Sequence, residues 1–199
     1  MPPSIPLKQP TISTRLLDGS NKQSNIATLR ASALETVNSY PKDLIHIYTD
    51  GSAFKATTNA GLGVLIQYPD GEKTEIAKPC GSFCSNNDAE KLAIHQTLLQ
   101  INNSFETDPQ TRTGIAIFTD SLSTLQKLEN GTDASKEIND IKRKISSIIT
   151  QHKIELHICN GSHHILDSKG MRLLISLRKE EQVYPSLRTL YPMKLSVGW

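Results

Sequence analysis

The sequence predicts an α/β fold, a mixed five-stranded sheet with helices on its faces. One observation is a series of three β-type runs joined by short turns such as Pro69-Asp70-Gly71, which is typical of an antiparallel meander. Another is that the later β-type runs alternate with helical segments, whose crossovers bring those strands into parallel. The strands are predicted at 44–50, 60–69, 72–78, 113–119 and 153–158. The helices are predicted at 87–102, 121–130 and 134–151.

The strands at 44–50 and 113–119 share one pattern, an Ile-rich run that ends in an aromatic residue and a Thr-Asp pair. The acids of these pairs are Asp50 and Asp120, and the small residue after each marks a turn out of the sheet. An Asp followed by Gly or Ser is also an ordinary turn, so either pair alone has a purely structural explanation. Carboxylates at the ends of a buried parallel pair of strands, however, are typical of a site for a hard cation.

The predicted helices have local start signals and buried stripes. The helix at 87–102 follows the capping residues Ser85 to Asp88, so Glu90 falls in its first turns and becomes a third acid at an element end. The helix at 134–151 repeats Ile every three or four residues, which predicts one buried face. These residues are Ile138, Ile141, Ile145 and Ile148.

The two flanks are expected to add little to the domain, which we predict at 41–158. Residues 1–40 are rich in Pro, Ser, Thr and Asn, which indicates a mostly disordered linker with a short helix over Ala27 to Val37. Residues 159–199 are expected to be a poorly ordered tail. No apolar stretch of about 18 residues and no secretory signal is evident, so we expect an intracellular protein that is neither membrane-spanning nor secreted.

The charge balance argues against a protein that coats a polyanion, and the cysteine spacing argues against a zinc-binding protein. Residues 1–158 hold 16 Lys and Arg against 17 Asp and Glu, so the core is not a strongly basic surface that coats a polyanion. The dense basic run Lys142-Arg143-Lys144 is either a solvated helix face or a ridge that binds a nucleic acid. Cys80 and Cys84 lack a matching second pair, so they make a poor zinc site and are expected as thiols of a reducing compartment.

Three motifs, in this order, resemble the type 1 ribonuclease H domain, as it occurs at the end of non-LTR retrotransposon polyproteins. The similarity runs from about Leu44 to Ile158 and includes Ala60 to Ile66, which is similar to that family's second strand. The motifs are Thr49-Asp50-Gly51-Ser52, Ala89-Glu90-Lys91-Leu92-Ala93-Ile94 and Phe118-Thr119-Asp120-Ser121.

The resemblance implies a nuclease that cleaves the RNA strand of RNA/DNA hybrids with Mg²⁺, or with Mn²⁺ in its place. Asp50, Glu90 and Asp120 are the implied catalytic residues and metal ligands, with Asp50 bridging both ions. Gly51 and Ser52 are implied to approach the substrate phosphate. Glu90 and the backbone near Gly51 are implied to contact the RNA 2′-hydroxyl. Two ions about 4 Å apart make a water nucleophilic and neutralise the leaving oxygen, which is why acids are needed. We expect the protein to act as a monomer.

The chain departs from the family's pattern after the last strand. There the family carries a His on a loop and a fourth carboxylate on a final helix, whereas this chain reads Cys159-Asn160-Gly161-Ser162-His163-His164-Ile165-Leu166-Asp167. Every position of the family motif is permitted when the same codons are read one base earlier, which indicates a frameshift near Ile158. His164 is either the loop histidine or an accident of the shifted frame. Asp167 lies too early to replace the fourth acid.

Two functions therefore remain from the sequence. The first is ribonuclease H activity of retrotransposon origin, impaired by the missing fourth acid. The alternative is a non-catalytic remnant that still binds nucleic acid. A sugar-kinase or actin-like ATPase on a related fold is disfavoured, because its glycine-rich phosphate loops are not evident.

Overall fold

The computed structural model describes residues 9–16, 25–54, 58–81, 83–108, 114–130 and 135–161. Within these residues one mixed sheet of six strands has the order β1-β6-β5-β2-β3-β4. The strands are β1 (Thr11–Ser13), β2 (Ile45–Phe54), β3 (Thr58–Gln67), β4 (Lys73–Gly81), β5 (Ile115–Thr119) and β6 (Leu156–Asn160). The helices are α1 (Ile26–Asn38), α2 (Asn86–Thr107), α3 (Leu122–Asn130) and α4 (Lys136–His152). The predicted α/β fold is confirmed, with one strand more than expected.

Strands β2, β3 and β4 form the antiparallel meander that the turn residues predict. The turn between β3 and β4 closes with a 3.0 Å hydrogen bond from Gly71 N to Tyr68 O. Gly71 has a φ of 92°, a left-handed conformation that glycine adopts without strain. Strand β2 also pairs in parallel with β5, and β5 pairs in parallel with β6. The ends of β2 and β5 therefore reach the same edge of the sheet.

Alternation along β2 divides the core between the two faces of the sheet. Ile45 and Ile47 belong to the larger cluster, which contains residues of α2, α3 and α4. Tyr48 belongs to a second cluster with Ala33 and Val37 of α1. Helices α2, α3 and α4 therefore cover one face, and α1 covers the other. The predicted stripe of α4 is confirmed, since Ile138, Ile141, Ile145 and Ile148 are all buried.

The N-terminal flank differs from the linker expected over residues 1–40. Strand β1 pairs in parallel with β6 and extends the sheet at that edge. The short helix is confirmed as α1, which is capped by a 2.8 Å hydrogen bond from Thr28 N to Asn25 Oδ1. Leu29 and the two α1 residues of the second cluster are buried against the sheet. A polar composition did not reveal this packing, because one narrow apolar stripe is enough to dock a helix.

The C-terminal end of the domain also differs from the expectation, because β6 continues to Asn160. Cys159 is fully buried, and its Sγ donates a 2.8 Å hydrogen bond to Tyr40 Oη. The ring of Tyr40 packs edge-on against Phe118 with centroids 5.5 Å apart. Cys159 is thus part of the domain rather than of a loose tail. The remainder of the predicted tail, 162–199, lies outside the described residues. Across the described residues, no helix is long and apolar enough to cross a membrane.

The buried thiol of Cys159 is expected to make the domain sensitive to alkaline pH. Burial raises the pKa of Cys159 from 9.0 to about 11, although the hydrogen bond with Tyr40 lowers it in part. The pKa is higher in the folded state than in the unfolded state. The thiol's contribution to the free energy of unfolding is therefore complete below pH 9.0 and is lost as the pH rises through about 11. We expect the free energy of unfolding to fall by about 2 kcal/mol across this window because of this thiol, and Cys159→Ala should not show that part of the fall. Denaturant unfolding at several pH values measures it, and parallel curves for both proteins would contradict the assignment.

Candidate metal and nucleic-acid site

Asp50 and Asp120 directly follow the last residues that pair between β2 and β5, although Asp50 itself stays in the sheet, opposite Gly63 of β3. In the parallel register of β2 and β5, Thr49 is the partner of Thr119, so each acid follows a matched position. Adjacent strands lie about 4.8 Å apart, which brings the two backbones close together. Asp50 is 9% exposed, and the Oδ1 atom of the half-buried Asp120 is screened from solvent. The expectation that both acids end neighbouring strands is correct for Asp120, which follows β5, and wrong for Asp50, because pairing with β3 continues β2 to Phe54.

The turn that carries Asp120 is held by hydroxyl groups. Ser121 N donates a 3.2 Å hydrogen bond to Thr119 Oγ1, and Ser121 Oγ donates a 2.7 Å hydrogen bond to Thr124 Oγ1. All three hydroxyl residues are buried. This chain of hydroxyls joins the end of β5 to the first turn of α3, so the backbone at Asp120 has a defined conformation.

A capping box fixes the point where α2 begins, and thereby the position of Glu90. Ser85 Oγ accepts a 3.1 Å hydrogen bond from Asp88 N, and Asp88 Oδ2 accepts one from Ser85 N in return. Lys91 Nζ lies 2.8 Å from Asp88 Oδ1. The hydrogen bonds from Lys91 and Ser85 lower the pKa of Asp88 to about 2, so the cap stays charged. The predicted start signal of this helix is confirmed.

Gly51 allows the start of α2 to lie directly against β2. A Cβ atom on Gly51 would come within 2.3 Å of Glu90 N and 2.4 Å of the carbonyl carbon of Ala89. Glu90 is therefore next to the residue that follows Asp50. The structure thus gives Gly51 a packing role that the sequence analysis did not assign, because the two segments are far apart along the chain. Its implied approach to a substrate phosphate stays a prediction.

A side-chain amide also ties the end of β2 to α2. Ala53 N donates a short hydrogen bond to Oδ1 of Asn86, the first residue of α2. The neighbouring Ser52 is half-buried and lies opposite Gly61 on β3. Sequence reasoning missed Asn86, which it treated only as one of several candidate caps. No local signal could reveal a bond between residues 33 positions apart.

The backbone brings the three acids to one region, but their side chains do not form a ligand cluster. Within the described part of the chain, no group of three or more His, Cys, Asp or Glu side chains is arranged to hold a metal ion. The donor chemistry nevertheless fits, because carboxylate oxygens are the ligands that Mg²⁺ prefers. His164, the other predicted site residue, lies outside the described residues.

The basic run on α4 is partly neutralised within its own helix. Arg143 forms an ion pair with Asp140, one turn earlier. Together with Lys144, Ser147 and His95, these residues line a cavity of about 480 Å³ beside α2. Burial and the charge of Lys144 lower the pKa of His95, against a smaller opposing effect of Asp140. The ion pair between Arg143 and Asp140 favours the interpretation of the basic run as a solvated helix face.

The mixed sheet, with one acid within β2 and another directly after the adjacent strand β5, places the protein in the ribonuclease H-like class of α/β folds. The sequence model of the RNase H family matches residues 42–167, a segment that contains Asp50, Glu90 and Asp120. This segment is more than half of the chain, so the chain belongs to the RNase H family and is an enzyme of the ribonuclease H class.

Solved RNase H1 structures share this fold. RNase H1 of the halophilic archaeon Halobacterium salinarum NRC-1 is 17% identical, with a TM-score of 0.52 over 69% of this chain and 98% of that chain. LC11-RNase H1, isolated from compost by a metagenomic approach, is 19% identical, with a TM-score of 0.54 over 71% and 99%. Its complex with an RNA/DNA hybrid aligns at 19% identity, with a TM-score of 0.55 over 70% and 99%. No curated protein matches the sequence.

Proposed function

We propose that this protein hydrolyses the RNA strand of RNA/DNA hybrids with divalent metal ions, Mg²⁺ or Mn²⁺. The observation that carries the proposal is that the backbone brings three acids to one region of the sheet inside the RNase H domain. Asp50 and Asp120 follow partnered residues of adjacent strands, and Glu90 lies against Gly51. A further support is that LC11-RNase H1, which has the same fold, was solved in complex with an RNA/DNA hybrid.

In this proposal each site residue has a separate task. Asp50, Glu90 and Asp120 would hold the ions through carboxylate oxygens. The ions, when bound, supply an activated water and neutralise the leaving oxygen. Gly51 lets the backbone approach the scissile phosphate, to which Ser52 donates, and Glu90 also contacts the 2′-hydroxyl that distinguishes RNA from DNA. His164 assists proton transfer only if the present frame is the native one, so the frameshift proposed below excludes that role.

We also propose that the chain derives from a retrotransposon and that its codons are out of frame after about Ile158. The segment from Cys159 to Asp167 lacks the family's final motif, although the family match extends to residue 167. Without a fourth acid the second ion loses its main protein ligand, so the chain as it stands is a weak enzyme. The nucleotide sequence around the Ile158 codon tests the frame directly.

One observation favours a second candidate, a remnant that binds nucleic acid without cleaving it. Among the described residues, the acidic side chains do not form a three-ligand metal site. A remnant of this kind keeps the sheet and the groove beside it, but it has no turnover. The two candidates differ in what happens when the reading frame is restored.

The test is cleavage of a labelled RNA/DNA hybrid by the present chain and by a chain whose frame is restored after Ile158. We expect the present chain to be at least about a hundredfold slower, because the missing electrostatic stabilisation costs about 3 kcal/mol. The restored chain carrying Asp120→Asn serves as the inactive control. Binding without cleavage by both the present and the restored chain would replace the nuclease with the remnant. Equal, full activity of both chains would show that no fourth acid is needed.

A further inference from the structure

Two cysteines meet at the connection between β4 and α2. Cys80 is the second-last residue of β4, where the pairing with β3 is interrupted between Ala60 and Gly61 by a bulge. Gly81 follows with a φ of 105°, a left-handed conformation that glycine adopts without strain. Cys84 lies directly before Ser85, the N-cap of α2. The two cysteines are therefore four positions apart, one at the end of β4 and one just before α2.

The two thiols pack in one small cluster. Cys84, which is 6% exposed, forms it with Ala60 and Ala89, and the half-buried Cys80 packs against it. Formation of a disulfide requires Cα atoms about 4.4–6.8 Å apart and sulfur atoms that face each other. The shared cluster and the cavity that both residues line limit the movement that closure would need.

A cavity gives small molecules access to this pair. Cys80 and Cys84 line a space of about 490 Å³ between β4, α2 and α4, together with Lys91 and His95. Phe83, at the rim of this space, is 95% exposed, so the connection between the two cysteines is open to solvent on that side. Cys80 is the more exposed of the two cysteines. A reagent that enters the cavity therefore meets Cys80 first.

The third cysteine provides a contrast within the same chain. Cys159 is fully buried on the α1 face, in the cluster that contains Phe118, and its thiol is hydrogen-bonded to Tyr40. Burial raises the pKa of Cys159 to about 11, which leaves little thiolate at neutral pH. Burial and the Asp88 carboxylate also raise the pKa of Cys84, against smaller lowering effects of Cys80 and Lys91. Cys80 is the first nucleophile because it is the more exposed of the two.

We propose that Cys80 and Cys84 are a reactive thiol pair that small-molecule disulfides oxidise to an intramolecular disulfide. The Cys80 thiolate attacks one sulfur of the reagent, which releases one small thiol and leaves a mixed disulfide. The Cys84 thiol then loses its proton to solvent and attacks the Cys80 sulfur, which releases the second small thiol. The protein pair is oxidised by two electrons, and the reagent is reduced to two thiols.

The bond joins the end of β4 to the residue before the N-cap of α2. It therefore restrains the segment that positions Glu90. The modification itself does not depend on the proposed nuclease function. It makes this connection a site of reversible covalent modification, in which a thiol reductant restores the starting state.

The test is incubation of the folded, reduced chain with oxidised glutathione, followed by alkylation of the remaining thiols after unfolding. We expect the chain to lose two of its three thiols and to keep Cys159 alkylated. A chymotryptic cut after Phe83 separates the two cysteines, so the bond is seen by mass as a linked pair of peptides. A link that involves Cys159, a link between two chains, or mixed disulfides alone would overturn the proposal.

Two variants sharpen the result. Cys159→Ser should lose two thiols as the wild type does, whereas Cys84→Ser should stop at a mixed disulfide on Cys80. An internal link in Cys84→Ser would also overturn the proposal. The peptide map of the wild-type chain remains decisive if either variant fails to fold.

Discussion

Replacing Gly51 with alanine is expected to lower the free energy of unfolding by roughly 3 kcal/mol. The new Cβ would lie 2.3 Å from Glu90 N and 2.4 Å from the carbonyl carbon of Ala89. Both are backbone atoms of α2, so no change of side-chain rotamer relieves the overlap. The start of α2 must move away from β2, and Glu90 moves with it. Equilibrium unfolding in denaturant measures the loss.

Gly161→Ala is the matched control for this prediction. Its Cβ would lie 3.8 Å from Phe118 Cδ1 and from Thr36 Cγ2, which are ordinary van der Waals distances. We expect its free energy of unfolding to change by less than about 1 kcal/mol. If both variants were equally stable, α2 would not be pressed against β2 at Gly51, and the packing explanation would fail.

Replacing Asp50 with asparagine is expected to weaken Mg²⁺ binding at least about a hundredfold and to abolish hybrid cleavage by the frame-restored chain. The family resemblance implies that Asp50 is a ligand of the proposed site, and its backbone lies beside β5, which Asp120 follows, and next to Gly51, which contacts Glu90. An amide oxygen is neutral and a poorer ligand for a hard dication. Calorimetric titration of the present chain measures metal affinity independently of activity.

Asp43→Asn is the control for the charge change itself. Asp43 is exposed in the turn before β2, so its removal should leave metal affinity and cleavage unchanged. Without metal, the Asp50→Asn variant should be no less stable than the wild type, because acids at one edge repel each other. Equal Mg²⁺ affinity in the wild type and in the Asp50→Asn variant would remove Asp50 from the proposed site.

The local pattern of residues determined most of the central domain. The Ile-rich run predicted at 113–119 is β5, and the Ile stripe predicted for the last helix is buried in α4. The turn around Gly71 and the cap at Ser85 are also where the sequence predicts them. Hydrophobic period, turn residues and caps act between near neighbours, so they can be read without knowing the fold. The same reasoning placed Asp120 directly after β5, but it ended the first strand at Asp50, whereas pairing with β3 continues β2 to Phe54.

Only the tertiary structure decided which distant segments meet. It placed β1 beside β6 and α1 over the second face of the sheet, although residues 1–40 have no sustained apolar period. It also joined Cys159 to Tyr40 across 119 positions and set Gly51 against the backbone of Glu90. A narrow apolar stripe or a single glycine gains its role only when a partner surface exists. That surface is made by the assembled sheet, and no local pattern in the chain encodes it.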